Sequence, residues 1–353
     1  MKILYLGSFQ ENWSTETYIA KAFGRAGCEV VRLEEPAETH ESIVQAAAET
    51  APDLFLFAKA RFRGANQGWP QAAEPVCQLL AAVRPHVDRV ACWLFDLLAR
   101  EFAPERFQWA STVAAACDLF ALTDGHTAPQ LPNALVVRQG APDDVDKECE
   151  WDVEPRWDVL FLGTPYRERQ LLVEALGRRF GDGFKHVNDC RGADLTRLVR
   201  SARICVGPHY PHLANYWSNR LYVVTAHGGL FAAPPVPGMQ REGWRSGENF
   251  LALPLDPEQM AAKLEEYVNR YDRAQLQTIR RNACAHANGV CRYDDRVREL
   301  IAALAMDTSR RGAEPPSPAT PAEVEPTALK GKTESATCKL KDGGNDFPAR
   351  IST

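Results

Sequence analysis

The sequence predicts an α/β protein of two consecutive doubly wound parallel-sheet domains facing a cleft, followed by a disordered C-terminal tail. Three observations carry this. Short, continuously apolar runs alternate with helix-length segments, the pattern of parallel strands covered on both faces. The pattern stops at an acidic stretch and then restarts. The 353 residues suit two domains at about 150 residues each.

The elements follow in order. Lys2–Leu6 is an apolar strand ending at Gly7, and Thr15–Ala26 has helical spacing with Ile19, Ala20 and Phe23 on one face. Glu29–Leu33 and Asp53–Ala58 are the next strands, Gln71–Val83 a helix, Arg89–Phe95 and Asp118–Thr123 further strands, and Leu135–Arg138 closes the half. Residues 141–156 hold Asp143, Asp144, Asp146, Glu148, Glu150, Asp152 and Glu154 between prolines. Few contacts are expected across such a segment, which makes it the interdomain linker. The second half repeats the pattern with strands at Trp157–Leu162, Phe184–Val187, Ile204–Val206 and Leu230–Ala233, and helices at Arg167–Phe180, Asp194–Ser201, Tyr216–Ala226 and Pro257–Arg270. The expected domains are therefore 1–140 and 157–306. Residues 307–353 carry seven acids and seven bases among prolines, serines and threonines, with almost no large apolar residue. Such a segment cannot bury enough surface to offset its ordering entropy, so a disordered tail is expected.

Composition narrows the function classes. A net charge of −5 gives no strong basic field to recruit nucleic acid. No run approaches the roughly 18 apolar residues of a membrane span. Met1–Gly7 leads directly into a strand, so no secretory leader is expected. The ten cysteines contain no C-x-x-C pair and sit mostly in apolar surroundings, as reduced thiols of a cytoplasmic protein would. Cys205, His209 and His212 match no zinc spacing, so no metal site is expected.

Two segments point to chemistry. In Leu160–Arg169 a buried strand runs into Gly163 and Thr164 and then a helix start carrying Arg167 and Arg169. That arrangement of backbone amides and guanidinium groups suits a phosphate. In Asn215–Phe231, Tyr216, Ser218, Asn219 and Arg220 open a helix that stops at Gly228-Gly229 after His227. Capping accounts for Ser218 or Asn219, and a helix stop accounts for the glycines. Neither accounts for Arg220, a cation in a first turn, which calls for an anion beside it.

Ser218-Asn219-Arg220-Leu221-Tyr222 followed by His227-Gly228-Gly229-Leu230-Phe231, Pro234–Met239 and Ser246–Leu251 resembles the donor block of group 1 glycosyltransferases of the GT-B fold. The branch most similar includes spore-maturation-type and phage-encoded enzymes. Asn219 stands where that branch usually has Asp, and the two glutamates of the larger superfamily, which fall near Asn215 and Val223, are missing. The resemblance implies two Rossmann-type domains and transfer of a sugar from a nucleotide-diphosphate sugar to an unidentified acceptor, whether glycan, protein, small molecule or modified DNA. It implies no cofactor and metal-independent donor binding by Gly163, Thr164, Arg167, Arg169, His209, Tyr216, Ser218, Asn219, Arg220, His227, Gly228 and Gly229. The acceptor side then lies in the first half, at the loop carrying Gly7, Ser14 and Glu16. Strand ends there supply Asp96, Asp124 and His126 as candidate catalytic groups; carboxylates at strand ends are also turn formers. A nucleotide-sugar epimerase of the same fold and a non-catalytic binding protein are the alternatives.

Overall fold

A computed structural model describes residues 1–35, 37–60, 73–146, 150–151, 153–165 and 168–311, with backbone alone for 168 and 307–311. The first half builds a six-stranded parallel sheet from β1 (Lys2–Gly7), β2 (Glu29–Glu34), β3 (Leu54–Phe57), β4 (Arg89–Leu94), β5 (Leu119–Leu122) and β6 (Ala134–Val136), in the order β2-β1-β3-β4-β5-β6. The second builds a five-stranded parallel sheet from β7 (Trp157–Leu162), β8 (Phe184–Val187), β9 (Ala202–Val206), β10 (Phe231–Ala233) and β11 (Leu251–Ala252), in the order β11-β10-β9-β7-β8. Both are doubly wound. The strand order reverses between β1 and β3 and between β7 and β9, and ligands of such sheets bind outside the strand C-termini at those points.

The apolar runs pack both ways because successive side chains of a strand face opposite layers. Leu4, Leu6, Phe55, Phe57, Val90, Cys92, Phe120 and Leu122 pack one layer with α2 (His40–Thr50), α3 (Glu74–Val83) and α4 (Pro104–Ala116). Ile3, Tyr5, Leu54, Leu56, Ala91, Trp93 and Ala121 pack the other with α1 (Thr15–Arg25). In the second half, Leu160, Leu162, Cys205, Phe231 and Ala233 lie over α6 (Gly192–Arg200) and α7 (Arg220–Ala226). Val159, Phe161, Ile204, Val206 and Ala232 lie over α5 (Glu168–Phe180), α8 (Pro257–Arg270) and the start of α9 (Arg273–Val290).

The structure corrects the expected domain plan in three places. α10 (Tyr293–Arg311) does not belong to the second domain: Tyr293, Val297, Leu300 and Leu304 join the core of the first sheet beside Tyr18, Ile19 and Phe23 of α1. The physical reason is coverage. Both faces of the second sheet are filled by its own helices, whereas this face of the first has α1 alone from its own half. The helix also runs through Arg311, past the expected end at 306, while the rest of the expected tail, 312–353, lies outside the described residues. Finally, the acidic linker is not poor in contacts. Asp143 pairs with Arg25 at 2.7 Å, the Asp146 amide donates to Thr196 Oγ1 at 3.2 Å, and Trp151 lies under Arg200 at 4.3 Å.

Four helices, α2, α4, α9 and α10, stand where the sequence reading assigned no element, and α7 starts at Arg220 rather than Tyr216. No helix among the described residues is long and apolar enough to cross a membrane. The eight described cysteines are free thiols; Cys205, completely buried in the core, is pushed up to about 12 by burial.

If α10 is a core element of the first half, Leu300→Ala should destabilise the protein by about 2–5 kcal/mol, the usual cost of emptying a buried leucine site. Urea unfolding measures this; a loss below about 0.5 kcal/mol would mean the helix is only laid on the surface.

Candidate functional site

α7 supplies one wall of a cavity of about 450 Å³. Asn219, Arg220, Val223 and His227 line it, at the three- and four-residue spacing that puts side chains on one helix face. Gly163 and Thr164 at the end of β7, and Asn188, Asp189 and Arg191 after β8, contribute from the same half. Trp13, Ser14, Thr15 and Tyr18 come from the first half, Asp144 from the linker and Tyr293 from α10. The cavity thus lies where both sheets reverse strand order.

Gly163 is required by its surroundings. Its φ of +120° is a conformation side chains rarely adopt, and a Cβ there would lie 3.3 Å from Arg220 Nη1. The glycine lets Arg220 close on the end of β7, where Nη1 donates to the Leu162 carbonyl at 3.2 Å. The guanidinium stands 5.9 Å from the Phe161 ring.

A second cavity of about 250 Å³ shares Ser218, Asn219 and Arg220 with the first. Its other lining residues include Phe95, Thr123, Arg138 and Gln139 of the first half and Arg169, Tyr216, Trp217 and Tyr222 of the second. Arg169 is only 7% exposed. The lining holds three arginines and no carboxylate among the described residues. Arg138 is committed to structure, pairing with Glu242 at 2.9 Å and donating to the Asn215 carbonyl at 2.7 Å and to the Thr123 carbonyl.

His209, 3% exposed, lines neither cavity. Its Nδ1 accepts from the Ser218 amide at 3.0 Å, so the ring proton is on Nε2. Burial, followed by the nearby charges of Arg220, His212 and Arg169, pushes its pKa down to about 3. His209 therefore positions Ser218 as a neutral ring rather than serving as a cation.

The expected site residues divide by this geometry. Gly163, Thr164, Ser218, Asn219, Arg220 and His227 meet in the larger cavity together with Ser14, and Arg169 and Tyr216 face the smaller. Arg167 lies outside the described residues. Gly228 and Gly229 line neither cavity. Gly228, at φ +85°, ends α7 against Arg200 and Trp151, and a Cβ on Gly229 would strike Val224 at 2.6 Å. They stop and pack the helix. Gly7 and Glu16 also lie outside both linings; a Cβ on Gly7 would touch Glu16 Cγ at 3.1 Å.

The three candidate catalytic groups are not gathered with these residues. Asp124 is completely buried. Its Oδ1 accepts from the His126 and Thr127 amides at 3.0 and 3.1 Å, and its Oδ2 from the Leu98 amide at 3.0 Å and Thr127 Oγ1 at 2.6 Å. A carboxylate so fully engaged shapes a turn and has no lone pair left for a substrate proton. His126 pairs with Glu101 at 3.1 Å and Asp96 with Lys59 at 2.6 Å, and neither lines either of these two cavities.

The sequence reading missed Asp144, Tyr18, Asn188, Arg191 and Tyr293. Asp144 sits between the Tyr18 hydroxyl, which donates to it, and His227 Nε2 at 3.4 Å. Burial raises its pKa, but His227 and Tyr18 outweigh that and hold it below the ordinary carboxylate range. Arg191 stands over the Trp13 ring at 5.0 Å, bridging the halves at the cavity rim. No group of residues suited to holding a metal ion occurs among the described residues.

Residues 150–302 match the family described as glycosyl transferase-like. No curated protein matches the chain. HepE of Anabaena, solved with UDP and glucose, is similar with a TM-score of 0.60 at 14% identity, covering 87% of this chain and 100% of that one. Sucrose-phosphate synthase from Thermosynechococcus elongatus gives 0.61 at 11% identity, covering 88% and 100%. A glycosyltransferase from Rickettsia africae gives 0.55 at 10% identity, covering 87% and 98%. At these identities the likeness is one of fold, and the fold is GT-B.

The buried His209 makes a pH signature. Its folded pKa of about 3 lies below the unfolded value of about 6.5, so the unfolded chain takes up a proton that the folded one refuses. Its contribution to stability is intact above about pH 6.5 and is lost progressively as pH falls toward 3. Relative to His209→Gln, wild type should lose about 1.4 kcal/mol per pH unit between pH 6 and 4. Parallel stability curves for the two proteins would show that the ring is protonated in the fold.

Proposed function

We propose that this GT-B-fold chain, whose residues 150–302 match a glycosyl transferase-like family, transfers a glycosyl group from a nucleoside diphosphate sugar to an acceptor. One observation carries the reading: the two cavities meet at Arg220, with Ser218 and Asn219 as their other shared walls. A sugar nucleotide has the same plan, with a diphosphate at the centre, a nucleoside on one side and a sugar on the other. On this reading Arg220 and the β7 end at Gly163 and Thr164 hold the diphosphate. The nucleoside occupies the larger cavity toward Asn188 and Arg191. The sugar enters the smaller one, between Arg169 and the strand ends at Phe95 and Thr123, where the acceptor meets it.

The chemistry follows from charge. As the glycosidic bond breaks, negative charge builds on the departing diphosphate. Cations fixed beside it, in a site shielded from water, stabilise that charge more than they stabilise the intact donor. Arg220 is fixed by Gly163 and the Leu162 carbonyl, and Arg169 by its burial. His209, neutral, holds the Ser218 loop in place. The Ser218–Tyr222 block supports a place in the branch of spore-maturation-type and phage-encoded enzymes. UDP is the first nucleotide to try, since the HepE structures contain it.

Arg220→Ala should weaken binding of UDP-sugars about 10- to 100-fold in calorimetry, the loss of one or two charge-assisted hydrogen bonds. Arg220→Lys should restore only part of it, since the planar fork is gone. Unchanged donor affinity in Arg220→Ala would remove the diphosphate from this junction. Sugar transfer or donor hydrolysis marks a transferase, C2-epimer formation without acceptor marks an epimerase, and binding without either marks a non-catalytic protein.

A further inference from the structure

We propose that Asp144 and His227 form a hydroxyl-recognising subsite that reads the ribose of the donor's nucleoside, so that the protein selects ribonucleotides over deoxyribonucleotides. This rests on the nucleotide-sugar reading above. His227 is completely buried and lines the larger cavity, yet its Nε2 has no hydrogen-bond partner. Asp144 Oδ1, 3.4 Å away, is also buried and without a hydrogen bond. Thr196 Oγ1 accepts from the Asp146 amide at 3.2 Å and lies 2.8 Å from His227 Nδ1, nearer than its alternative acceptor, the Gly192 carbonyl at 3.3 Å. Given to Nδ1, the hydroxyl proton leaves the ring proton on Nε2, beside the carboxylate.

The cavity wall therefore presents one unsatisfied donor and one unsatisfied acceptor side by side. A phosphate or carboxylate only accepts, and an ammonium only donates. A hydroxyl does both, accepting from Nε2–H and donating to Oδ1. The position selects which hydroxyl. His227 follows Arg220 by seven residues on the same lining face, about 10 Å along the axis at 1.5 Å per residue. Asn188, Asp189 and Arg191 line the same cavity and offer polar groups for a base. Between phosphate and base in a nucleotide lies the ribose, and Val223, on the wall between Arg220 and His227, offers an apolar surface to the ring. The Tyr18 hydroxyl, from the first half, holds the carboxylate in place.

Calorimetry on the full chain tests this, with UDP, GDP and ADP each paired with its 2′-deoxy and 3′-deoxy counterparts. Wild type should bind the preferred ribonucleotide about tenfold more tightly than at least one deoxy partner, the scale of one charge-assisted hydrogen bond. Asp144→Ala should shrink that preference to within about twofold, and His227→Phe should do the same. Arg220→Ala should weaken the pair equally and keep the preference. Equal binding of ribo and deoxy forms by wild type, or full preference in both Asp144→Ala and His227→Phe, overturns the subsite alone. Failure of every nucleoside diphosphate to bind overturns the donor reading, and the subsite with it.

Discussion

Arg138 joins the two halves, and the smaller cavity is built around that joint. Leaving β6, it donates to the Thr123 carbonyl of the first half and to the Asn215 carbonyl of the second. Its Nε pairs with Glu242 and its plane lies 3.9 Å over Trp217. Glu242 also accepts from the Tyr222 hydroxyl and pairs with Arg296 of α10. A buried guanidinium is tolerated only when its donors are satisfied this fully. The constraint reaches the backbone. The Asn215 carbonyl serves both Arg138 and the Gly125 amide, and Asn215 adopts a φ of +57°. Gly125 has to be glycine because a Cβ would lie 2.9 Å from that carbonyl. The cluster holds Trp217 and Tyr222 in the smaller cavity's wall and fixes where α7 begins.

From that fixed start, α7 organises the site along one face. Arg220 stands at the junction of the cavities and His227 one side of the larger cavity away. The groups described around Arg220 are mostly neutral or cationic. The smaller cavity's lining carries no carboxylate among the described residues, and His209 stays neutral because it is buried among cations. The carboxylates that do reach the larger cavity are held by other groups: Asp189 pairs with Arg191, and Asp144 accepts from the Tyr18 hydroxyl. This arrangement supports the proposed placement of an anion at the junction and of hydroxyl-bearing groups beside it.

Much of the fold was legible because parallel strands are apolar on both faces and so stand out as short runs; Lys2–Leu6, Arg89–Phe95 and Trp157–Leu162 all form strands close to their expected limits. Gly163 and Arg220 were legible as a pair of anomalies, a glycine after a strand and a cation in a first turn, and the structure places them against each other. What sequence does not carry is which sheet a terminal helix will cover. The apolar face of α10 suits either half, and only the vacancy beside α1 decides. Asp144 was hidden for a similar reason: in an acidic run each carboxylate reads as solvated, and only tertiary contact singles out the one that meets His227 and Tyr18. Asp124 misled in the opposite direction, since a strand-end carboxylate reads alike whether its oxygens are open or, as here, fully engaged by amides and Thr127.

A crystal structure of the protein with UDP bears most directly on the central claim, that one ligand spans both cavities with its diphosphate at Arg220. The account predicts phosphate oxygens within about 3 Å of the Arg220 guanidinium, the usual reach of a charge-assisted hydrogen bond, with the uridine running toward His227 and Asn188 and the terminal phosphate facing the smaller cavity. UDP seated elsewhere, for instance in the pocket lined by Arg203, Arg273 and Arg280 on the second half, or bound in the larger cavity with Arg220 turned away, would contradict it.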